Sequence, residues 1–224
     1  MMQTLHIEKV LKNNPDIRLF RFIKFSFENK VQDRLSNISS DEMSVIERCI
    51  KHKRENDISF WESYIRLGED LNSRLFEHAT FHNENNEYIY ISKNDVIDFL
   101  KYNKEKNLAL NSQVIMKNGQ ILHIPMLDFE VSSKANNIES VKNILKHFKL
   151  SGTILDSGKS YHFIGNNLIE KKSLIVLLSK FSLLYPIADR AWASHQIIEN
   201  SASLRVSKKY GEYPNFIEDV NEGF

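Results

Sequence analysis

Residues Ile124–Ser133 read IPMLDFEVSS. An apolar lead-in runs into two carboxylates, Asp128 and Glu130, two positions apart. Side chains in a β-strand alternate between faces, so both carboxylates point the same way. Like charges on one face repel, and a cation is the usual compensation. Hard divalent ions such as Mg²⁺ are held by one or two carboxylates plus phosphate oxygens. The same pattern also suits an acidic pair facing water on an edge strand.

Upstream of this run, ALNSQVIM and ILHIPMLDFEV flank Asn118-Gly119, a strong hairpin turn signal. Downstream, Ile138, Val141, Ile144, Leu145 and Phe148 recur at helical spacing. GTILDSGKSYHFIG then reads as two short strands broken at Ser157-Gly158. Glu170–Leu184 and Asp189–Glu199 read as helices, and SLRVSKKYGEYP as a strand running into a loop. Before Tyr88 the chain reads as mainly helical. Ser39–Glu42 and Ser59–Glu62 both fit a capping box. Tyr88–Ser92 looks like a strand, with Ser92 placed to cap a helix over Asp95–Tyr102. The expected class is α+β, with a helical N-terminal region over residues 1–90 packed on a sheet-bearing core over residues 91–224.

Composition narrows the function classes. Thirty Lys+Arg stand against 29 Asp+Glu, so net charge does not announce a nucleic-acid binder, although a local basic patch is compatible with it. One cysteine, Cys49, excludes a disulfide framework and suits a reducing cytoplasm. The longest apolar run, Leu174–Ile187, is short and carries Lys180, so no membrane span is expected. Cys49 and His52, with His78 and His82, lack tight zinc-ligand spacing and are expected to be a buried thiol and surface histidines. Lys51–Asn56 reads as a solvated helix end. Tyr88 and Tyr90 share one strand face. They are expected to pack rather than stack on bases.

Two further segments carry chemistry. Asp156–Phe163, DSGKSYHF, offers turn N–H groups, the Lys159 cation and hydroxyls together, a reasonable phosphate cradle. His162 follows on a strand, with Ser160 on the same face. Near the C-terminus Arg205, Ser207 and Lys209 alternate along an expected strand, with Lys208 close by, a basic stripe suited to phosphate. Asp189, Arg190 and His195 begin and line the preceding helix, and Asp189 is also a natural N-cap.

In order, MLDFEV, SYH and IAD resemble the three motifs of the archaeo-eukaryotic primase superfamily: hhhD-h-D/E, s-x-H and h-D/E. The later H…LRVSKKYG stretch is similar to the basic segment after its third motif. The nearest resemblance is to primase 1D-like proteins, with Trp192 one residue later than their pattern places it. The resemblance implies a catalytic core related to the RNA-recognition fold, a mixed sheet with flanking helices. It implies a metal-dependent nucleotidyltransferase, a primase or primase-polymerase using Mg²⁺ or Mn²⁺. Asp128, Glu130 and Asp189 would be catalytic metal ligands, with Glu199 the alternative to Asp189. Ser160, His162, Lys159, Arg205, Lys208, Lys209 and His195 would hold the nucleotide. Its partners would be an NTP or dNTP, a single-stranded DNA or RNA template, and a helicase or mobile-element or defence protein. The competing reading is a catalytically weak primase-fold module that binds nucleotide or nucleic acid.

Overall fold

The computed structural model describes residues 4–24, 40–68, 87–103, 107–135, 137–208 and 211–221. Contacts divide the chain into two compact units, residues 1–25 with 85–224, and residues 26–84. The division differs from a boundary at residue 90, because the first 25 residues are built into the larger unit. They supply helix α1 (Leu5–Asn13) and strand β1 (Ile17–Lys24), where a mainly helical segment was expected.

The smaller unit contains α2 (Ser40–Asn56) and α3 (Phe60–Arg66). Ser59 caps α3 as its capping box predicts, accepting from the Glu62 N–H at 3.0 Å. Cys49 and Tyr64 are buried together, with Phe60 and Trp61 packed against them. The Ser63 hydroxyl donates to the Cys49 carbonyl at 3.0 Å and lies 2.9 Å from His52 Nδ1. His78, His82, Ser39 and Lys209 lie outside the described residues.

The larger unit holds two sheets in which every described pairing is antiparallel. In the first, β2 (Glu87–Ser92), β1, β3 (Leu108–Met116) and β4 (Ile121–His123) lie in that order. α4 (Val96–Tyr102) follows β2, and its Phe99 ring meets Phe22 of β1 at 5.2 Å. The Asn118-Gly119 turn joins β3 to β4, with Gly119 at φ 84°, a region open to glycine at little cost. Two residues after β4 the chain crosses to the second sheet as β5 (Met126–Asp128).

The second sheet runs β5, β7 (Tyr161–Gly165), β6 (Gly152–Asp156), β9 (Asn215–Val220). α5 (Ile138–His147) connects β5 to β6, α6 (Lys171–Ser182) follows β7, and α7 (Arg190–Glu199) follows α6. This is a βαββα succession of the ferredoxin-like kind. Its last strand, β9, closes on β6 and not on β5, which leaves one edge of β5 for other backbone. The expected α+β architecture is therefore present, with helices flanking both sheets. Strand β8 (Ser203–Arg205) returns to the first sheet beside β3.

One core runs through the unit. Phe20, Phe22, Leu110, Val114, Met126, Leu127, Phe129, Phe163 and Phe181 are all almost wholly removed from water. α1 buries Ile7 and Val10 in it, and Lys9 forms an ion pair with Asp219 of β9. Two histidines are buried in the same unit. Burial pushes His6 down to about 4, with Lys9 adding to the effect. Burial likewise pushes His123 down to about 4, helped by Arg21 and Lys171.

Both histidines fold neutral, while the unfolded chain binds protons near 6.5. Their contribution is present above pH 6.5 and is lost as pH falls from about 6.5 towards about 4. Between pH 7 and pH 5 each histidine should cost about 2 kcal/mol of stability. Urea titration across that window checks this, and the His6→Leu/His123→Gln double variant should show a flatter dependence.

Candidate active site

Strand β5 is only three residues long, yet it is paired on both sides. Against β7 the register sets Met126 opposite Ile164, Leu127 opposite Phe163 and Asp128 opposite His162. On its other edge, Phe129 bridges Ala188 just before α7. The Asp189 N–H donates to the Asp128 carbonyl at 3.0 Å, and the Glu130 N–H to the Ile187 carbonyl at 2.8 Å. Residues directly opposite on antiparallel strands share a face. Asp128 therefore stands in one row between His162 and Asp189.

The hydrogen bonding sharpens this. The Phe129 N–H donates to the Tyr161 carbonyl at 2.9 Å, whereas the Asp128 carbonyl points to Asp189. Asp128 and His162 are thus a non-hydrogen-bonded pair, the kind whose Cα atoms sit about 4.5 Å apart. Their side chains meet, with His162 Nε2 3.6 Å from Asp128 Oδ1. The contact is an ion pair when the imidazole is protonated. The opposite face of the strand is closed, because the Phe129 ring packs edge-on against Phe181 of α6 at 5.0 Å.

Asp189 has a second task. Its Oδ1 accepts from the Trp192 N–H at 2.8 Å and caps α7, as its position before the helix predicts. Glu199 ends the same helix, about 15 Å along its axis, so the ladder brings Asp189 and not Glu199 beside Asp128. Glu130 is exposed at the end of the β5 run.

Arg205 closes the site from the first sheet. One guanidinium nitrogen donates to the Ser157 carbonyl at 2.8 Å and another to the Ser207 carbonyl. Burial pulls its pKa below the ordinary arginine value, and the nearby Asp128 charge acts the other way. Arginine keeps its charge regardless. It ties β8 to the β6–β7 turn that carries Lys159 and Ser160. That turn is internally braced: the Ser157 N–H donates to the Ser160 carbonyl at 2.9 Å, and the Gly158 N–H to Asp156 Oδ1 at 2.7 Å. Ser160 is half-buried and Lys159 exposed.

The basic stripe differs from its expected form. Strand β8 ends at Arg205, and Ser207 is buried, its hydroxyl accepting from the Leu108 N–H at 3.0 Å. Ser207 thus fastens the chain to β3 instead of facing a ligand. Lys208 is exposed, its ammonium 5.2 Å from the Tyr213 ring. His195 is half-buried about 9 Å along α7 from its cap. Trp192 is structural, its Nε1 donating to the Ser203 carbonyl at 3.0 Å.

Support for the site comes from residues the motifs do not include. Asn111, wholly buried in β3, donates to Ser201 at 3.1 Å and to Ser203 at 2.8 Å. The Gln196 carbonyl oxygen accepts from the Ser203 N–H at 2.8 Å. These bonds lock β8 and α7 together and so set the positions of Arg205 and Asp189. The polar triplet Asn111-Ser112-Gln113 inside an otherwise apolar strand is the sequence signal for this network.

Among the described residues no group of three or more His, Cys, Asp or Glu side chains is gathered as a metal site. The donor set still fits a hard divalent ion. Asp128 and Asp189 bring two carboxylates to one face, and such ions commonly complete their shell with phosphate oxygens and water.

His162, Asp128 and Asp189 thus stand in one row across β7, β5 and the start of α7, with Arg205 at the end of β8. The family model described as archaeo-eukaryotic primase 1D-like matches residues 89–218, more than half of the chain, and the chain belongs to that family. No curated protein and no solved structure gave a match. The matched span begins inside β2, so α1 and β1 lie before it and yet are part of the same unit.

The double role of Asp189 gives a clean test. Asp189→Ala should lose the cap and about 1 kcal/mol of stability. Asp189→Asn keeps a capping oxygen and should unfold at nearly the wild-type denaturant concentration. Equilibrium denaturation of the two variants separates the cap from the charge.

Proposed function

We propose that this chain is a metal-dependent nucleotidyltransferase that makes or extends short RNA or DNA strands on a nucleic-acid template. Membership of the primase family supports the reaction class. The observation that carries the assignment is the row His162–Asp128–Asp189, with Arg205 behind it. Among the described residues no helix is long and apolar enough to cross a membrane.

Asp128 and Asp189 would hold Mg²⁺ or Mn²⁺, with Glu130 as a further ligand at the open end of the row. When bound, the ion lowers the pKa of the attacking hydroxyl and offsets charge on the attacking and leaving oxygens. The reaction forms a bond from a 3′-oxygen to the α-phosphorus and breaks the bond to the bridging oxygen. Pyrophosphate leaves and the hydroxyl proton passes to solvent. His162, oriented by Asp128, presents an imidazole to the triphosphate. Ser160 and Lys159 add a hydroxyl and a cation from the turn. Arg205 contributes a positive charge fixed by two carbonyls, which costs no reorganisation when the triphosphate arrives. Lys208, Lys209 and His195 would add outer contacts.

The second reading is a nucleotide-binding module with little turnover. The lack of a gathered three-ligand cluster among the described residues favours it. Primer synthesis with labelled NTPs and dNTPs on single-stranded templates, with Mg²⁺ or Mn²⁺, decides between the two. Asp128→Ala and Glu130→Ala should each abolish incorporation in a folded protein. His162→Ala and Arg205→Ala should weaken nucleotide binding roughly tenfold or more, as loss of a charge-assisted contact does, and leave template affinity nearly unchanged. Full metal-dependent synthesis by both carboxylate variants would reject the proposal.

A further inference from the structure

The face of the first sheet that carries Arg205 also carries Tyr88 and Tyr90. Pairing registers place Tyr88 opposite Ile23, Ile23 opposite Ala109 and Ala109 opposite Arg205, so all four share one face. Tyr90 lies opposite Arg21 on the same face. Four strands at about 4.8 Å spacing put Tyr88 roughly 14 Å from Arg205. The two tyrosines were expected to be covered by packing, yet they are 43% and 46% exposed. Ile23 and Ala109, between Tyr88 and Arg205, are buried, so the open part of this face is its β2 edge, with Tyr88 and Tyr90 exposed and Arg21 half-buried beside them.

Arg21 is fixed from two sides. Its guanidinium lies 4.6 Å from the Tyr88 ring centroid, and its Nε donates to Asn111 Oδ1 at 2.9 Å. Asn111 is itself locked by Ser201 and Ser203. An arginine held by a buried amide while it stacks on an exposed tyrosine presents a preset cation beside an aromatic surface.

We propose that the β2 edge of this sheet face binds single-stranded nucleic acid, with bases stacked on Tyr88 and Tyr90 and Arg21 pairing with the backbone. That the bound strand is a template rests on the nucleotidyltransferase reading; the binding face does not. The chemistry favours nucleic acid over a protein partner. The exposed rings are bordered by the Arg21 guanidinium, while their apolar neighbours Ile23 and Ala109 are buried. Arg21 sets a fixed cation beside the rings, matching a phosphate of the backbone. Aromatic residues on an antiparallel sheet stack two or three bases of a single strand without reading sequence.

The test uses the full-length protein and fluorescence anisotropy of a short labelled oligothymidine, with no nucleotide present. Tyr88→Ala and Tyr90→Ala should each weaken binding roughly tenfold. The Tyr88→Phe/Tyr90→Phe variant should bind nearly as the wild type does, because stacking needs the ring and not the hydroxyl. Arg21→Gln should weaken binding and make its salt dependence shallower by about one phosphate contact. Binding of a fluorescent NTP should be unchanged in the tyrosine variants, which also checks their folding. Oligonucleotide affinity unchanged in both alanine variants would overturn the proposal, as would failure of the phenylalanine pair with NTP binding intact. Wild-type self-association lost in the alanine variants, with oligonucleotide affinity unchanged, would overturn it in favour of a protein-docking face. If the wild type synthesises nothing while the tyrosines still govern oligonucleotide affinity, the binding face stands and the nucleotidyltransferase reading falls. Active synthesis with tyrosine-independent binding gives the reverse.

Discussion

Everything at the site depends on β5 being paired along both edges. A three-residue strand has little stability alone, and its register is set by β7 on one side and by residues 187–189 on the other. A slip of one residue on either side would move His162 or Asp189 to the opposite face from Asp128. The apolar residues resist that slip. Leu127 and Phe129 alternate with Asp128 and are buried on the closed face, where Phe181 fills the space against Phe129. Hydrophobic burial on one face therefore sets the geometry of charge on the other.

The same logic operates in polar form beneath the first sheet. Asn111, Ser112, His123, Gln196 and Ser201 are all buried. Ser112 Oγ accepts from the Ala202 N–H at 2.9 Å and lies 3.0 Å from His123 Nδ1. A satisfied buried network specifies one arrangement, because a half-satisfied alternative leaves polar groups stranded in a low dielectric. Here it fixes where β8 and α7 leave the sheet. Arg205 and Asp189, far apart in chemistry, share that support.

Much of this was legible in the sequence. The Asn118-Gly119 turn, the α3 capping box, the α5 periodicity and the split strands around Ser157-Gly158 all form as their local signals demand. The pairing of Asp128 with His162 was implied by motif order but not by any local rule, since β5 and β7 are separated by a helix and a strand. β1 was hidden for a physical reason. IRLFRFIK places Arg18, Arg21 and Lys24 three residues apart, which mimics a helix face. In the strand, Arg21 is accommodated by Tyr88 and Asn111, partners distant in sequence. Ser207 failed in the opposite sense. Alternation suggested a ligand-facing residue, but β8 ends two positions earlier and the hydroxyl goes to a backbone N–H.

The placement of β1 between β2 and β3 also bears on how the chain acquires its shape. Ile23 finds Tyr88 on one side and Ala109 on the other, and Lys9 meets Asp219 across 210 residues. These are long-range closures, and loop entropy must be overcome before they reward the chain. During synthesis, β1 emerges before β2 and β3 and waits with both edges unpaired until they leave the ribosome. Such an edge can recruit foreign strands. Nascent chains halted before β3 has cleared the ribosome should therefore depend on chaperones far more than those halted after it.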